Sequence, residues 1–207
     1  MRNKTNGTSW ILAVLGMTCI TACATLEHGS REEAQRRIDM ESYSIENPAT
    51  GRWQAEIRKE RRRVRFVWNI MSNGLAMRAT ITVSERSWRS SDPSLTLEQV
   101  ANDQLDREER RMIQEALRKR DHVLKDTKRQ LSDVGGKKLY TLHYAKGWEN
   151  GMWENSILYL YFPDDFMEKD RYYSFSLSLY GGGSPGMLGI VHIGDVHRVI
   201  ESLEIHP

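Results

Sequence analysis

The stretch RYYSFSLSLYGG, residues 171–182, sets Tyr173, Phe175, Leu177 and Leu179 against Ser174, Ser176 and Ser178 in strict alternation. Successive side chains of a strand point to opposite faces. This segment therefore predicts a strand with one apolar face and one hydroxyl face. Such a strand suits an antiparallel sheet packed strongly on one side.

The same period recurs upstream. Val64, Phe66, Trp68 and Ile70 alternate with Arg65, Val67 and Asn69, and MSNG at 71–74 turns the chain back. Met77, Ala79, Ile81 and Val83 then alternate with Arg78, Thr80 and Thr82 as the partner strand. Residues 127–147 predict a strand, a Gly135-Gly136 hairpin and a second strand. A further strand from Met152 ends at Pro163.

Two segments carry a helical period instead. Thr96 and Gln99 form a capping-box pattern. Leu97, Ala101, Leu105, Met112, Ala116 and Leu117 follow at helical spacing. Asp103/Arg107, Asp106/Arg110 and Glu115/Lys119 are i,i+4 pairs on the polar side. Near the end, Asp195 is expected to cap a short helix whose Val196, Val199, Ile200 and Leu203 share one face. Two strands, a long helix, four strands and a closing helix make an α+β domain: a largely antiparallel sheet flanked by helices.

The N-terminal segment reads differently. Arg2 and Lys4 precede the apolar run Trp10–Met17, the pattern of a secretory signal peptide over residues 1–22. The run from Trp10 to Leu26 is 17 residues, broken by Thr18 and Thr21, and short of the roughly 20 apolar residues a spanning helix needs. Ile20-Thr21-Ala22-Cys23 resembles the bacterial lipobox. That resemblance implies a diacylglyceryl group on Cys23 and acylation (palmitate) of its new amine. It also implies loss of Cys19 with the signal, and, with Ala24 next, sorting to the periplasmic face of the outer membrane. The alternative is an ordinary signal cut after Ala22 or Ala24. Beyond Cys23 the chain has no thiol, so neither an internal disulfide nor a thiolate metal site is expected.

Removing residues 1–22 takes away two basic residues and no acid, leaving 28 of each sign. A bulk positive charge for nucleic acid is absent. The remaining 185 residues suit one domain. Residues 23–50 are polar and mixed and read as a tether, with a short helix expected around Glu32–Met40 and punctuation at Pro48 and Gly51. The globular domain is then expected over 51–207.

ATITVS, the SLTLEQVANDQL helix, SDVGGKKLYTLHYAKG, ILYLYFPDD, RYYSFSLSLYG and VHRVIESLEI resemble the Mog1/PsbP-like family over residues 52–206. The resemblance implies an antiparallel sheet sandwiched by helices and a theme of binding without common catalytic residues. It carries no functional residue over to this chain. The expected role is a lipid-anchored, non-catalytic binding or assembly module for an unidentified partner, most simply a protein, with no cofactor. The alternative is a small-ligand receptor or an envelope enzyme with an unrecognised site.

Chemistry-bearing residues do not form a known motif. His192 and His197 are five apart around Asp195, a spacing at which the rings diverge and no metal site forms. Both are expected at or near the surface, and His143 is expected packed or hydrogen-bonded within its strand. GGGSPG, residues 181–186, lacks the context of a nucleophile elbow or a phosphate loop and reads as a connection. Asp164-Asp165 is an ordinary turn pair. Trp148 and Trp153 flank a turn and suit core packing beside a hairpin; exposed, they would instead anchor a partner or the membrane interface. The densest anomaly is RKERRRVR, residues 58–65. If it is already strand, period two places Arg61, Arg63 and Arg65 together on the solvent face, a candidate surface for an acidic partner or a membrane. The same residues also suit solvated charges that keep a sheet edge from pairing.

Overall fold

The computed structural model describes residues 37–48, 52–72, 75–88, 94–118, 122–148, 151–182 and 192–207. The signal peptide, the lipobox with Cys19 and Cys23, and most of the GGGSPG connection lie outside these residues.

The alternating segments become a seven-stranded, wholly antiparallel sheet in the order β3-β4-β5-β9-β8-β7-β6. Its strands are β3 (Gln54–Arg58), β4 (Arg63–Ser72), β5 (Leu75–Ser87), β6 (His122–Val134), β7 (Lys137–Trp148), β8 (Met152–Tyr161) and β9 (Arg171–Gly182). The β6–β7 hairpin turns on Gly135 and Gly136, at φ 59° and 79°. These are left-handed values that glycine adopts without strain, and they match the two-residue hairpin turn. A Cβ on Gly135 would also lie 2.7 Å from Glu201 Cγ. Asp133 Oδ1 accepts from the Gly136 amide at 3.0 Å and completes the turn.

One face of the sheet carries the larger core. Val64, Phe66, Ile81, Val83, Phe175 and Leu177 meet Val196, Val199 and Ile200 of the closing helix α3 (Ile193–Glu201). The long helix α1 (Leu97–Arg118) covers part of the other face. Its capping box is present: the Thr96 amide donates to Gln99 Oε1 at 2.8 Å, and the Gln99 amide donates to Thr96 Oγ1 at 3.3 Å. Val100, Ala101, Leu105 and Met112 of α1 are buried with Leu142, Leu160 and Phe162, while Leu97 is exposed. Arg107 pairs with Asp103 at 2.7 Å as expected. Asp106 pairs across to Arg129 of β6 at 2.6 Å, and Arg129 also holds Glu109, tying the helix to the sheet edge. A one-turn helix α2 (Phe166–Lys169) links β8 to β9.

The expected tether boundary is corrected. Residues 37–48 form β1 (Arg37–Asp39) and β2 (Tyr43–Glu46), which join β10 (Glu204–Ile205) in a second, three-stranded antiparallel sheet. Arg37–Asp39 is strand where the end of a helix was expected; residues 32–36 lie outside the described set. Ile38, Met40, Tyr43 and Ile45 are buried in the main core, and the Tyr43 ring meets Tyr173 edge-on at 5.5 Å. Each strand is too short to show a period. The pairing of β2 with the last residues of the chain, and of β1 with β2, makes them part of the domain.

Candidate functional site: an arginine-lined half of the sheet face

Helix α1 lies over β6 and β7 and reaches β9 at Tyr172; among the described residues no helix packs on the same face of β4, β5 and the Ser176–Tyr180 part of β9. Register fixes what that open half displays. Arg65 stands opposite Thr82, and Thr82 opposite Ser176. In the next rows Thr80 faces Ser178, and Arg78 faces Tyr180. With Arg63 beside them, these side chains line a groove of about 410 Å³. The hydroxyl face legible in RYYSFSLSLYGG is its floor.

The arginines are available for a ligand. Arg65 reaches Glu56 only at 3.9 Å, with both side chains substantially exposed, a pair worth little in water. Arg63 and Arg78 have no ion-pair partner among the described residues. The hydroxyls of Thr80, Thr82 and Ser176 make no side-chain hydrogen bond among the described residues. The rim toward β8 is already satisfied: Ser156 Oγ lies 2.8 Å from Ser178 Oγ and 2.9 Å from Glu154 Oε1, and Lys146 sits 3.9 Å from Glu154. Burial pushes the neighbouring Tyr144 hydroxyl up to about 12, so it stays a neutral phenol. Guanidinium groups over free hydroxyls form charge-assisted hydrogen bonds to anions. Neither activates a nucleophile.

The expected triplet is only partly together. Arg63 and Arg65 share the groove face. Arg61 does not, because Lys59–Arg61 is a 3-10 turn and β4 begins at Arg63. Arg62 takes a left-handed conformation, φ 46°, and directs its guanidinium to Glu85 on the core side. The run is therefore a hairpin turn followed by a strand, and period two does not extend through it. Arg78 was missed as a site residue. Its alternation with Thr80 and Thr82 showed a polar face, but only the β4–β5 register sets it on the same face as Arg65.

A second polar cluster corrects the reading of the closing helix. The N-cap position is His192, and Asp195 lies in the first turn, buried. Asp195 Oδ2 accepts from Trp53 Nε1 at 3.3 Å and lies 3.3 Å from His192 Nδ1. His192 is buried, not near the surface, with its ring 4.5 Å from Trp68 and 5.5 Å from Trp53. His197 turns elsewhere, 3.3 Å from the Tyr159 hydroxyl, so the two rings diverge as the spacing indicated. His143 hydrogen-bonds Gln130 at 3.2 Å within its sheet. Trp153 packs against Gly147, where a Cβ would meet its ring at 2.8 Å. Asp165 pairs with Lys169 at the α2 turn. Among the described residues no group of three His, Cys, Asp or Glu could hold a metal ion, and no helix is long and apolar enough to cross a membrane.

Comparison with protein-family models finds no match, and comparison with curated proteins finds none either. Among solved structures, the solution structure of cyanobacterial PsbP (CyanoP) from Synechocystis sp. PCC 6803 is similar, with a TM-score of 0.54 at 15% sequence identity. The match covers 84% of this chain and 94% of that one. At that identity the likeness speaks to architecture alone, and with the helix-flanked antiparallel sheet it identifies the fold as PsbP-like.

Proposed function

We propose that this protein is a non-catalytic binding or assembly module of the bacterial envelope, held to the membrane by lipid on Cys23, which engages an anionic partner through the open half of its sheet. The observation that carries this reading is the groove itself: Arg63, Arg65 and Arg78 on one face, two of them without a counter-ion among the described residues. The even charge balance of the chain beyond residue 22 makes this a local feature, not the bulk field a nucleic-acid binder uses. The PsbP-like fold is compatible with a module that works by contact. The lipobox resemblance supplies the membrane attachment.

The test is photo-crosslinking in intact envelopes with a diazirine side chain at Thr82, on the groove floor, against one at Leu131, exposed on β6 at the far edge. A specific adduct is expected at Thr82 and not at Leu131, and it is lost when Arg63, Arg65 and Arg78 are changed together to glutamine. Equal labelling from both positions, or a Thr82 adduct indifferent to the triple change, would remove the groove as the binding face.

A further inference from the structure

The groove has two cationic ends and a neutral middle. Arg63 and Arg65 stand two residues apart on β4, and Arg78 stands on β5 opposite Asn69. At about 3.4 Å per residue, the row of Arg78 lies ~14 Å from the row of Arg65. Thr82 and Ser176 continue the row of Arg65, and the one row between the two ends carries the hydroxyls of Thr80 and Ser178. Tyr180, 41% exposed, stands next to Arg78 and adds an amphipathic ring at that end. The acidic neighbours are few. Glu56 approaches Arg65 at 3.9 Å, and Glu154 at the β8 rim is matched by Lys146.

This face suits a peptide poorly. Over the groove β5 and β9 pair on both sides, and β4 does so from Arg63 to Val67, so most of their backbone groups are taken up in the ladders. Extended peptides gain affinity from main-chain hydrogen bonds at a sheet edge. A face offers side chains alone, and here those are hydroxyls between arginines. A polyhydroxyl body with charged ends matches them.

We propose that the groove binds a saccharide phosphorylated at both ends, one phosphate held by Arg63 and Arg65, the other by Arg78, with the sugar hydroxyls on Thr80, Thr82 and Ser176. Two guanidinium groups at one end suit a phosphate monoester, which carries up to two charges near neutral pH and accepts paired N–H donors from arginine. This rests on the reading of the groove as the binding face and names the class of its ligand.

The test is calorimetric titration of the full-length protein in a neutral detergent. The probes are a glucosamine disaccharide phosphorylated at both ends, its monophosphate, the unphosphorylated disaccharide and inorganic phosphate. The bisphosphate is expected to bind at least tenfold more tightly than the monophosphate, and the unphosphorylated sugar to give no measurable heat. Arg78→Gln is expected to reduce the bisphosphate to the level of the monophosphate, and so is the double change Arg63→Gln with Arg65→Gln. Arg61→Gln, in the turn outside the groove, is expected to leave the ratio unchanged. Melting curves matching the wild type show that each loss is local. Equal affinity for bisphosphate and monophosphate would overturn the proposal, as would inorganic phosphate binding as tightly as the bisphosphate, or a preference that survives either groove change. If that happens while the Thr82 adduct persists and contains a protein, the ligand class fails and the binding face stands.

Discussion

Arg62 Nη1 lies against Glu85 Oε1, joining the hairpin before β4 to a carboxylate whose side chain is only 3% exposed. Ser42 reaches the other oxygen from the small sheet. The Arg62 carbonyl meanwhile accepts from the Glu85 amide at 3.1 Å and from the Tyr43 hydroxyl at 3.2 Å. One turn residue thus ties together both sheets. Removing its side chain leaves a buried acceptor short of a donor, which costs about 1–3 kcal/mol. Arg62→Ala is expected to destabilise by about 2 kcal/mol in urea unfolding, and Arg61→Ala by less than about 0.5 kcal/mol. Equal small effects would mean that Ser42 alone satisfies Glu85.

Deleting residues up to 50 removes Ile38, Met40, Tyr43 and Ile45 from the core and leaves Glu204–Ile205 without their sheet partner. Burying a large apolar side chain contributes about 1.5–3 kcal/mol, so the four together contribute about 6 kcal/mol or more. A chain starting at residue 51 is expected to lose its cooperative thermal transition, while one starting at 37 keeps it. Matching melts would show that β1 and β2 are dispensable.

Acid is expected to weaken the fold in two stages. Burial holds His197 below its ordinary 6.5, with Glu201 opposing, and burial followed by Lys128 does the same to His143. Below about pH 6.5 the unfolded chain therefore takes up protons that the folded chain does not. The stability is full above that value and is lost as pH falls through the lowered folded values. The second stage involves carboxylates: hydrogen bonds from Arg129 and Thr127 hold Glu109 below 4.5, and one from Lys169 holds Asp165 below 3.8. Their contribution is present above those values and is lost as pH falls further. Melting temperatures measured across this range should fall in both windows, and His197→Gln should shrink the first. An unchanged first step in His197→Gln would assign it to other groups.

Asp195→Ala is expected to destabilise by about 2 kcal/mol, because the indole N–H of the buried Trp53 loses its acceptor and His192 loses its neighbour. The measurement is urea unfolding followed by tryptophan fluorescence, which should also shift through Trp53 and Trp68. A neutral outcome would mean that water replaces the carboxylate.

Cys23→Ser is expected to abolish palmitate labelling and release the protein from the membrane fraction, with Cys19→Ser changing neither. Each buried methylene contributes about 0.8 kcal/mol, and one short chain binds only reversibly, so several chains are needed for firm attachment. Labelling that persists in Cys23→Ser would overturn the lipobox assignment.

Periodicity alone determined much of this protein. Alternation in 64–70, 77–83 and 173–179 fixed three strands and which of their residues face the core, and the Gly135-Gly136 pair marked a hairpin between two more. Thr96 and Gln99 fixed the start of the long helix, because a capping box closes over three residues. Those signals are local, so one chain segment states them in full. Tertiary structure decided the rest. Tyr43–Glu46 became a strand because Glu204–Ile205 at the far end of the chain pairs with it, and Arg37–Asp39 because it pairs with Tyr43–Glu46 in turn. Arg62 left the strand period because a left-handed turn precedes β4. Asp195 had the sequence position of a cap, but Trp53, 142 residues earlier, meets it in the core. Arg78 joined Arg63 and Arg65 only through the β4–β5 register, and among the described residues that face is left open because α1 packs over the other half of the sheet. In each case a contact between distant residues overrode, or was absent from, the local pattern.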